Sequence, residues 1–358
     1  MVKTMLFIIK ITHGCNMKCR YCYDRHSKTS NLMSLNLLDD IMKWIGEFCE
    51  NSGIQKAKFV WHGGEPLLAG IEFFELIPEL QQKHLKDIKI ENGIQTNGTL
   101  ITEELIDFFK ANDFKVSISL DGIREINDKY RIFKDENGSF DLVLKNIELL
   151  KRNNISVGIS SVIHWENYNF LMDNYKFFKE HNLNYNLVFD FNSNYSISYL
   201  KGLKEELCKL FLYWCKDSNP LKIRFFINIL ESFLTGFNNE CTFSKFCCTG
   251  DELIVIDNNG DLYPCSTYVE KEEYKFGSIY NLTNIDLIKK TDAYYRILDD
   301  KAKTEKKCKV CKYFNLCFGG CPTRYQENCY KDYYCEVWKS LFHDAEKILN
   351  QNNFIKET

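Results

Sequence analysis

Apolar residues cluster in six short segments of the first half of the chain, and helix-length amphipathic stretches lie between most of them. The segments are rich in β-branched residues, as buried strands are. Strands that alternate with helices predict parallel βαβ units with right-handed crossovers. We therefore expect an α/β fold that begins with a partial (β/α)6 TIM-type barrel. The predicted strands cover roughly residues 4–12, 56–62, 88–96, 114–120, 155–163 and 184–191.

The pattern changes after the sixth predicted strand, where two helical runs follow at residues 201–215 and 223–237. From Cys241 onward, cysteine becomes dense. This change predicts two domains. The first would be the barrel with bridging helices over residues 1–235. The second would be a small cysteine-rich domain with a C-terminal helix over residues 236–358.

Composition argues against several classes of function. The 46 basic and 49 acidic residues nearly cancel and form no basic stripe, so a nucleic-acid partner is not expected. Residues 1–11 are too short to span a membrane and lack a small-residue cleavage site, so we expect a first strand and no membrane association. Sixteen cysteines without an export signal favour metal ligation over disulfides and predict a strongly reducing cytoplasm.

Cys15, Cys19 and Cys22 follow the first predicted strand. Three thiolates at this spacing can hold an iron-sulfur cube and leave its fourth iron without a protein ligand. A zinc knuckle with a distant fourth ligand is the alternative. The pattern Cys-x3-Cys-x2-Cys, with Tyr21 before the last cysteine, resembles the radical S-adenosylmethionine (radical SAM) enzymes. That resemblance implies cleavage of SAM to a 5′-deoxyadenosyl radical, which removes hydrogen from an unactivated carbon.

Residues 62–66, His-Gly-Gly-Glu-Pro, end the second predicted strand, and in the radical SAM family such a segment holds the amino group of the methionine moiety. The turns that close the third and fourth strands offer amide and hydroxyl groups to the ribose and carboxylate. For Arg131 a solvated helix start is an equal alternative, and Ile159 could be an ordinary core residue. The resemblance thus implies these cofactor contacts: Tyr21, Gly63, Gly64, Glu65, Asn97, Ser119, Arg131 and Ile159.

The cysteines of the second half resemble the SPASM extension of peptide-modifying radical SAM enzymes, which holds two auxiliary clusters. A pair of zinc sites is the alternative, Cys248 could replace Cys247, and Cys329 could replace Cys335. With the first cluster, the resemblance implies SAM and three [4Fe-4S] clusters as cofactors. One auxiliary cluster would take Cys241, Cys247, Cys265 and Cys321, and the other Cys308, Cys311, Cys317 and Cys335.

The resemblance implies a peptide or protein substrate, and our first expectation is a maturase of ribosomally made peptides that forms a thioether or carbon-carbon cross-link. The alternatives are a peptide epimerase and an anaerobic sulfatase-maturating enzyme, which oxidises Ser or Cys to formylglycine. In those maturating enzymes an Asp acts as the catalytic base at the position where this chain has Ser266. A hydroxyl is a poor proton acceptor, which argues against this alternative. Asp190, His164 or Tyr268 could substitute, and we take Asp190 as the candidate catalytic residue.

Two protein partners follow from these expectations. The cluster needs an electron donor such as flavodoxin or ferredoxin. A peptide maturase without its own leader-binding domain would need a separate leader-binding protein. A non-enzymatic iron-sulfur electron carrier is a further alternative, against which the intact cysteine triad and Gly-Gly-Glu segment argue.

Overall fold

The computed structural model describes residues 2–24, 30–191, 196–236, 241–245, 247, 250–326 and 330–351. The chain forms two compact units, each assembled from three segments. The first unit comprises Met1–Leu120, Asn127–Gly158 and Thr249–Arg296. The second unit comprises Asp121–Ile126, Ile159–Cys248 and Ile297–Thr358.

A parallel sheet organises the first unit. Its four leading strands pair in chain order, β1 with β2, β2 with β3 and β3 with β4. Strand β7 pairs in parallel with the other edge of β1, and β8 and β9 continue the sheet in antiparallel pairs. All four residues of β7, Leu-Ile-Val-Ile, are buried, as expected for a strand covered on both faces. The strands are β1 Thr4–Lys10, β2 Lys56–His62, β3 Lys89–Thr96, β4 Lys115–Ser119, β7 Leu253–Ile256, β8 Asp261–Tyr263 and β9 Gly277–Ser278.

Helices of the first unit begin and end at residues suited to those positions. The Ser34 and Thr102 side chains accept hydrogen bonds from the first turns of α1 and α3. Gly53 ends α1 with a left-handed backbone (φ 64°). Buried aromatic rings pack between α1 and the sheet, as for Phe7 and Trp44 at 6.3 Å between centroids. The helices are α1 Leu35–Ser52, α2 Ile71–His84, α3 Glu103–Ala111, α5 Phe140–Arg152 and α9 Ile285–Ile288.

The second unit contains the parallel pairing of β5 with β6, which begins at Ile159 and Tyr185, and most of the remaining helices. Helix α12 packs against α7 and α8. Its Trp338 ring meets Phe189 and Phe243 edge-on, at 4.8 and 5.5 Å between centroids. These elements are β5 Val157–Ile163, β6 Tyr185–Phe189, α6 Leu171–Glu180, α7 Ile197–Lys216, α8 Arg224–Thr235, α11 Phe314–Cys317 and α12 Cys335–Gln351. Two helices, α4 Arg124–Tyr130 and α10 Asp292–Cys308, run across the division between the units.

The mixed α/β fold with parallel strands confirms the prediction, and all six predicted strands are present with slightly different ends. Strand β7 falls within residues 236–358, which were predicted to form the cysteine-rich domain, but it pairs with β1. The boundary near residue 236 stays a prediction. Among the described residues, no helix combines the length and apolarity that crossing a bilayer requires.

Candidate functional site

Residues 12–24, which we call the first cysteine loop, leave the carboxyl end of β1. Two backbone hydrogen bonds join the loop to the end of α4 and the residues that follow. The Lys18 and Arg20 amides donate to the carbonyls of Ile132 and Tyr130 at 2.8 and 2.9 Å. All three of its cysteines are partly exposed. The loop therefore presents its thiols at the end of the sheet where parallel folds place their active sites.

The thiols of this loop are half-desolvated and lie near cations. Burial raises the pKa of Cys15, and the Cys22 thiol and Glu65 carboxylate raise it further. Burial also raises the pKa of Cys22, where Arg131 and Lys10 act in the opposite direction. Thiolates that neighbour one another and nearby cations suit a multinuclear iron-sulfur group. Among the described residues, no three His, Cys, Asp or Glu side chains converge closely enough for a single ion.

The Gly63-Gly64 pair is required by the backbone of the first cysteine loop. A Cβ atom on Gly63 would lie 2.2 Å from the carbonyl oxygen of Thr12. A Cβ atom on Gly64 would lie 2.2 Å from the carbonyl oxygen of Gly14. The Gly64 amide donates to the Thr12 carbonyl at 2.6 Å, and the Glu65 amide donates to the Gly14 carbonyl at 2.8 Å. The resemblance gave this segment a role in holding the cofactor, whereas in the structure these two glycines permit a close approach between two chain segments.

Glu65 is fully buried and accepts three hydrogen bonds. The Thr96 hydroxyl and Leu67 amide donate to Oε1 at 2.7 and 3.0 Å, and the Asn97 amide donates to Oε2 at 2.7 Å. Burial raises the pKa of this carboxyl, while the hydrogen bonds and the Arg131 charge oppose that effect. Oε2 retains an acceptor position beyond the contacts seen with described residues. That position suits an ammonium group.

We expect Glu65→Gln to destabilise the protein by about 1–3 kcal/mol, because one of the three donors would face an amide N–H instead of an acceptor. Urea unfolding under anaerobic conditions measures the change. Glu91→Gln, at a partly exposed carboxylate paired with Lys56 at 2.6 Å, is the control and should change little. Equal losses of unfolding free energy in the two variants would show that the buried hydrogen bonds of Glu65 add no stability beyond that of an exposed ion pair.

The other predicted cofactor contacts of the first unit are already engaged by neighbouring side chains. The Asn97 amide donates to Asn16 at 2.8 Å and lies 3.8 Å from the Cys15 sulfur. The Ser119 hydroxyl accepts from Gln95 at 3.0 Å. Arg131 is buried, donates to the Tyr21 hydroxyl and lies over its ring. The structure thus brings Asn97, Tyr21 and Arg131 to the first cysteine loop, and Arg131 is no solvated helix start.

A buried group of charges beside this loop was missed by the sequence reasoning. We call Lys10, His13, Asp24 and Asp257 the ionic quartet. His13 Nδ1 lies 2.9 Å from Asp24, His13 Nε2 lies 2.8 Å from Asp257, and the Lys10 ammonium lies 3.0 Å from Asp24. Burial alone would lower the pKa of His13, but the two carboxylates outweigh it and raise that pKa to about 9. No local motif joins Asp257 to residues near the start of the chain.

His62 ends strand β2 beside the ionic quartet, and the sequence did not indicate its role. Burial lowers the pKa of His62 to about 4, and the Lys10 charge adds to the effect. The ring is therefore neutral at neutral pH. Its Nδ1 accepts from the Gly63 amide at 2.7 Å, so the hydrogen of the neutral ring sits on Nε2. His62 can offer one neutral donor beside the ionic quartet.

In the second unit, four predicted ligands line one cavity of about 430 Å³. Burial and neighbouring cysteines together raise the pKa of Cys317 to about 12 and that of Cys335 to about 11. Lys331 and Lys339 also line the cavity and lower the pKa of Cys335. A four-thiol cavity with adjacent cations fits an iron-sulfur cluster. The four cysteines are Cys308, Cys311, Cys317 and Cys335.

The other predicted ligand set is divided between the units. Cys241, Cys247 and Cys321 belong to the second unit and Cys265 to the first. Cys247 is buried with a left-handed backbone (φ 61°). The Cys321 amide donates to Asp332 at 2.9 Å, and the same carboxylate pairs with the buried Arg324. The alternative ligands Cys248 and Cys329 lie outside the described residues.

The candidates for a base occupy different places. Asp190 is buried in the second unit and accepts a hydrogen bond from the Tyr334 hydroxyl at 3.0 Å. His164, another candidate base, is also buried in the second unit, and so is Ile159, which was a predicted cofactor contact. In the first unit, Ser266 lies within hydrogen-bonding reach of the Tyr23 hydroxyl, so it has a polar neighbour that the sequence did not reveal. Tyr268 stacks on Tyr274 at 4.0 Å.

Comparisons with known proteins identify both parts of the chain. The radical SAM superfamily model matches residues 9–177, and the SPASM model, an iron-sulfur cluster-binding domain, matches residues 247–312. The cysteine-type anaerobic sulfatase-maturating enzyme of Clostridium novyi is 32% identical over 100% of this chain and 98% of its own length. The serine-type enzyme of Bacteroides thetaiotaomicron is 31% identical over 86% of this chain and 80% of its own length.

The solved structure of native anSMEcpe with bound AdoMet and Kp18Cys peptide matches with a TM-score of 0.87 and 31% identity, over 98% of this chain and all of that one. The expectation of a cross-linking peptide maturase is therefore wrong. The full-length relatives are sulfatase-maturating enzymes, which were the alternative. The chain is a radical SAM enzyme with a C-terminal SPASM domain, and it belongs to the family of the anaerobic sulfatase-maturating enzymes.

Proposed function

We propose that this chain oxidises a cysteine side chain of a protein substrate to formylglycine, as anaerobic sulfatase-maturating enzymes do. The observation that carries the proposal is similarity along the entire chain to cysteine-type enzymes of this class. The serine-type relatives align over a smaller share of this chain, which favours cysteine as the residue oxidised. A related solved structure contains a Kp18Cys peptide, which supports a peptide or protein substrate.

The donor sets described above support three [4Fe-4S] clusters and one SAM molecule as cofactors. When bound, these groups supply the radical that removes hydrogen from carbon and the acceptor for the second electron. We assign the first cluster to Cys15, Cys19 and Cys22, and the auxiliary clusters to the two SPASM sets as predicted. A flavodoxin or ferredoxin would deliver the first electron. The leader-binding protein belonged to the expectation of a cross-linking peptide maturase and has no further support.

The residues of the chain bind and orient the cofactor and the substrate. Glu65 offers its remaining acceptor position to the ammonium group of SAM, and Arg131 offers positive charge near the same site. Oxidation of the substrate thiol to a thioaldehyde removes one hydrogen atom, one electron and one proton, and hydrolysis by water then gives the aldehyde and hydrogen sulfide. The position of the relatives' Asp, which accepts that proton, is occupied here by Ser266. We assign Asp190 as the acceptor for that proton.

A peptide that spans the active-site cysteine of a sulfatase tests this function. After anaerobic incubation with the enzyme, SAM and dithionite, conversion of cysteine to formylglycine should lower the peptide mass by about 18 units and make the peptide reactive toward hydrazides. A peptide with alanine at the cysteine is the matched control. Formation of 5′-deoxyadenosine with no mass change in peptides from several cysteine-type and serine-type sulfatases would overturn the proposal.

A further inference from the structure

The ionic quartet is buried to an extent that is costly for charged groups. The side chains of Lys10 and His13 are 0% and 1% exposed, and those of Asp24 and Asp257 are 10% and 6% exposed. Both ring nitrogens of His13 face carboxylate oxygens, which only accept hydrogen bonds, so both nitrogens act as donors. Two cations then face two anions, and the group is neutral as a whole.

Buried ion pairs are weak sources of stability, because desolvation offsets most of their attraction. In some proteins, buried ionic groups instead fix one arrangement of the segments that carry them. The quartet joins three such segments. His13 lies two residues before Cys15, Asp24 lies two residues after Cys22, and Asp257 follows β7 in the hairpin that leads through β8 to Cys265. It therefore ties both ends of the first cysteine loop to the turn that carries Cys265.

A second contact joins the same two regions. Tyr23 follows Cys22, Ser266 follows Cys265, and their hydroxyls lie within hydrogen-bonding reach. The tyrosine as a whole is 46% exposed, and the Lys10 ammonium lies 5.3 Å from its ring centre. Tyr23 thus lies beside the first cysteine loop, the Cys265 turn and the ionic quartet.

We propose that the ionic quartet and the Tyr23–Ser266 contact are positioning residues that hold the Cys265 turn against the first cysteine loop. This inference deepens the proposed function and rests on it, because it takes Cys265 as an auxiliary-cluster ligand. These contacts fix the distance between the first cluster and the auxiliary cluster that Cys265 would bind. That fixed distance couples SAM cleavage to completion of substrate oxidation. Without it, the enzyme would cleave SAM but release the substrate unfinished.

The first test is His13→Ala in the full chain with its clusters reconstituted. We expect 5′-deoxyadenosine formation within about threefold of wild type, while product formed per 5′-deoxyadenosine falls about tenfold or more. His13→Gln should restore part of the coupling, since its amide nitrogen carries two N–H donors. The control is His84→Ala, which removes a His–Asp contact of 2.7 Å between α2 and α1.

A second readout does not depend on the substrate. The microwave power needed to saturate the EPR signal of the first cluster depends on its distance from the neighbouring cluster, so it should change in His13→Ala and recover in His13→Gln. Tyr23→Phe removes one hydroxyl and serves if His13→Ala does not fold. Unchanged saturation and unchanged coupling in a folded variant would overturn the inference. If wild type oxidises no sulfatase peptide, the proposed function fails, and the EPR measurement still decides the positioning inference.

Discussion

Replacing Cys15, Cys19 and Cys22 together by alanine should abolish SAM cleavage and leave the fold intact. The three thiols are partly exposed and contribute little to the hydrophobic core, so their loss removes ligands without opening a large cavity. If they hold one of three [4Fe-4S] clusters, iron content should fall by about one third. Formation of 5′-deoxyadenosine under dithionite should fall by at least about three orders of magnitude, measured anaerobically by chromatography.

Cys49→Ala is the matched control for this experiment. Cys49 is fully buried on α1, and burial raises the pKa of its thiol to about 12, so it acts as a small apolar side chain. Its replacement should cost about 1 kcal/mol of stability and leave iron content and SAM cleavage unchanged. Full iron and normal SAM cleavage in the triple variant would refute the assignment of the first cluster.

Gly64→Ala should prevent the first cysteine loop from closing on β2. The new Cβ atom would lie 2.2 Å from the Gly14 carbonyl oxygen and 2.5 Å from that of His13, and both are backbone atoms. The segments cannot separate without breaking the hydrogen bonds from Gly64 to Thr12 and from Glu65 to Gly14. We expect a loss of more than about 3 kcal/mol in unfolding free energy, visible as a lower urea midpoint and lower iron content.

Gly158→Ala provides the comparison. A Cβ atom there would have no neighbour closer than 4.0 Å, and the residue lies in strand β5 with ordinary backbone angles. The change in stability should be below about 1 kcal/mol. A stable, iron-replete Gly64→Ala protein would show that the close approach of the two segments is dispensable.

The strands and the first cysteine triad could be predicted because their signals are local. A run such as Leu6 to Ile9 is apolar enough to be a buried strand wherever it lies in the chain. The contacts of the site are not local. Nothing in the sequence joins His13 to Asp257, which is 244 residues away, and the demand for Gly64 arises from the backbone of another segment.

The choice of function failed for a related reason. Ser266, in place of the relatives' Asp, argued against the maturating enzymes. Its neighbour Tyr23 could not be predicted from the sequence. Similarity over the whole chain carries more information than one position, and it favoured the maturating enzymes. The division of the auxiliary ligands between two compact units was equally hidden, because compactness depends on which segments pack together.

The pairing of β1 with β7 has a consequence for how the protein is made. Residues 4–10 leave the ribosome early, but their partner at residues 253–256 emerges only after more than two thirds of the chain has been synthesised. Until then one edge of β1 lacks this partner, and such edges invite pairing with other chains. Co-translational folding of the sheet therefore stays incomplete for most of synthesis, and a fragment that stops before residue 253 should aggregate when expressed alone.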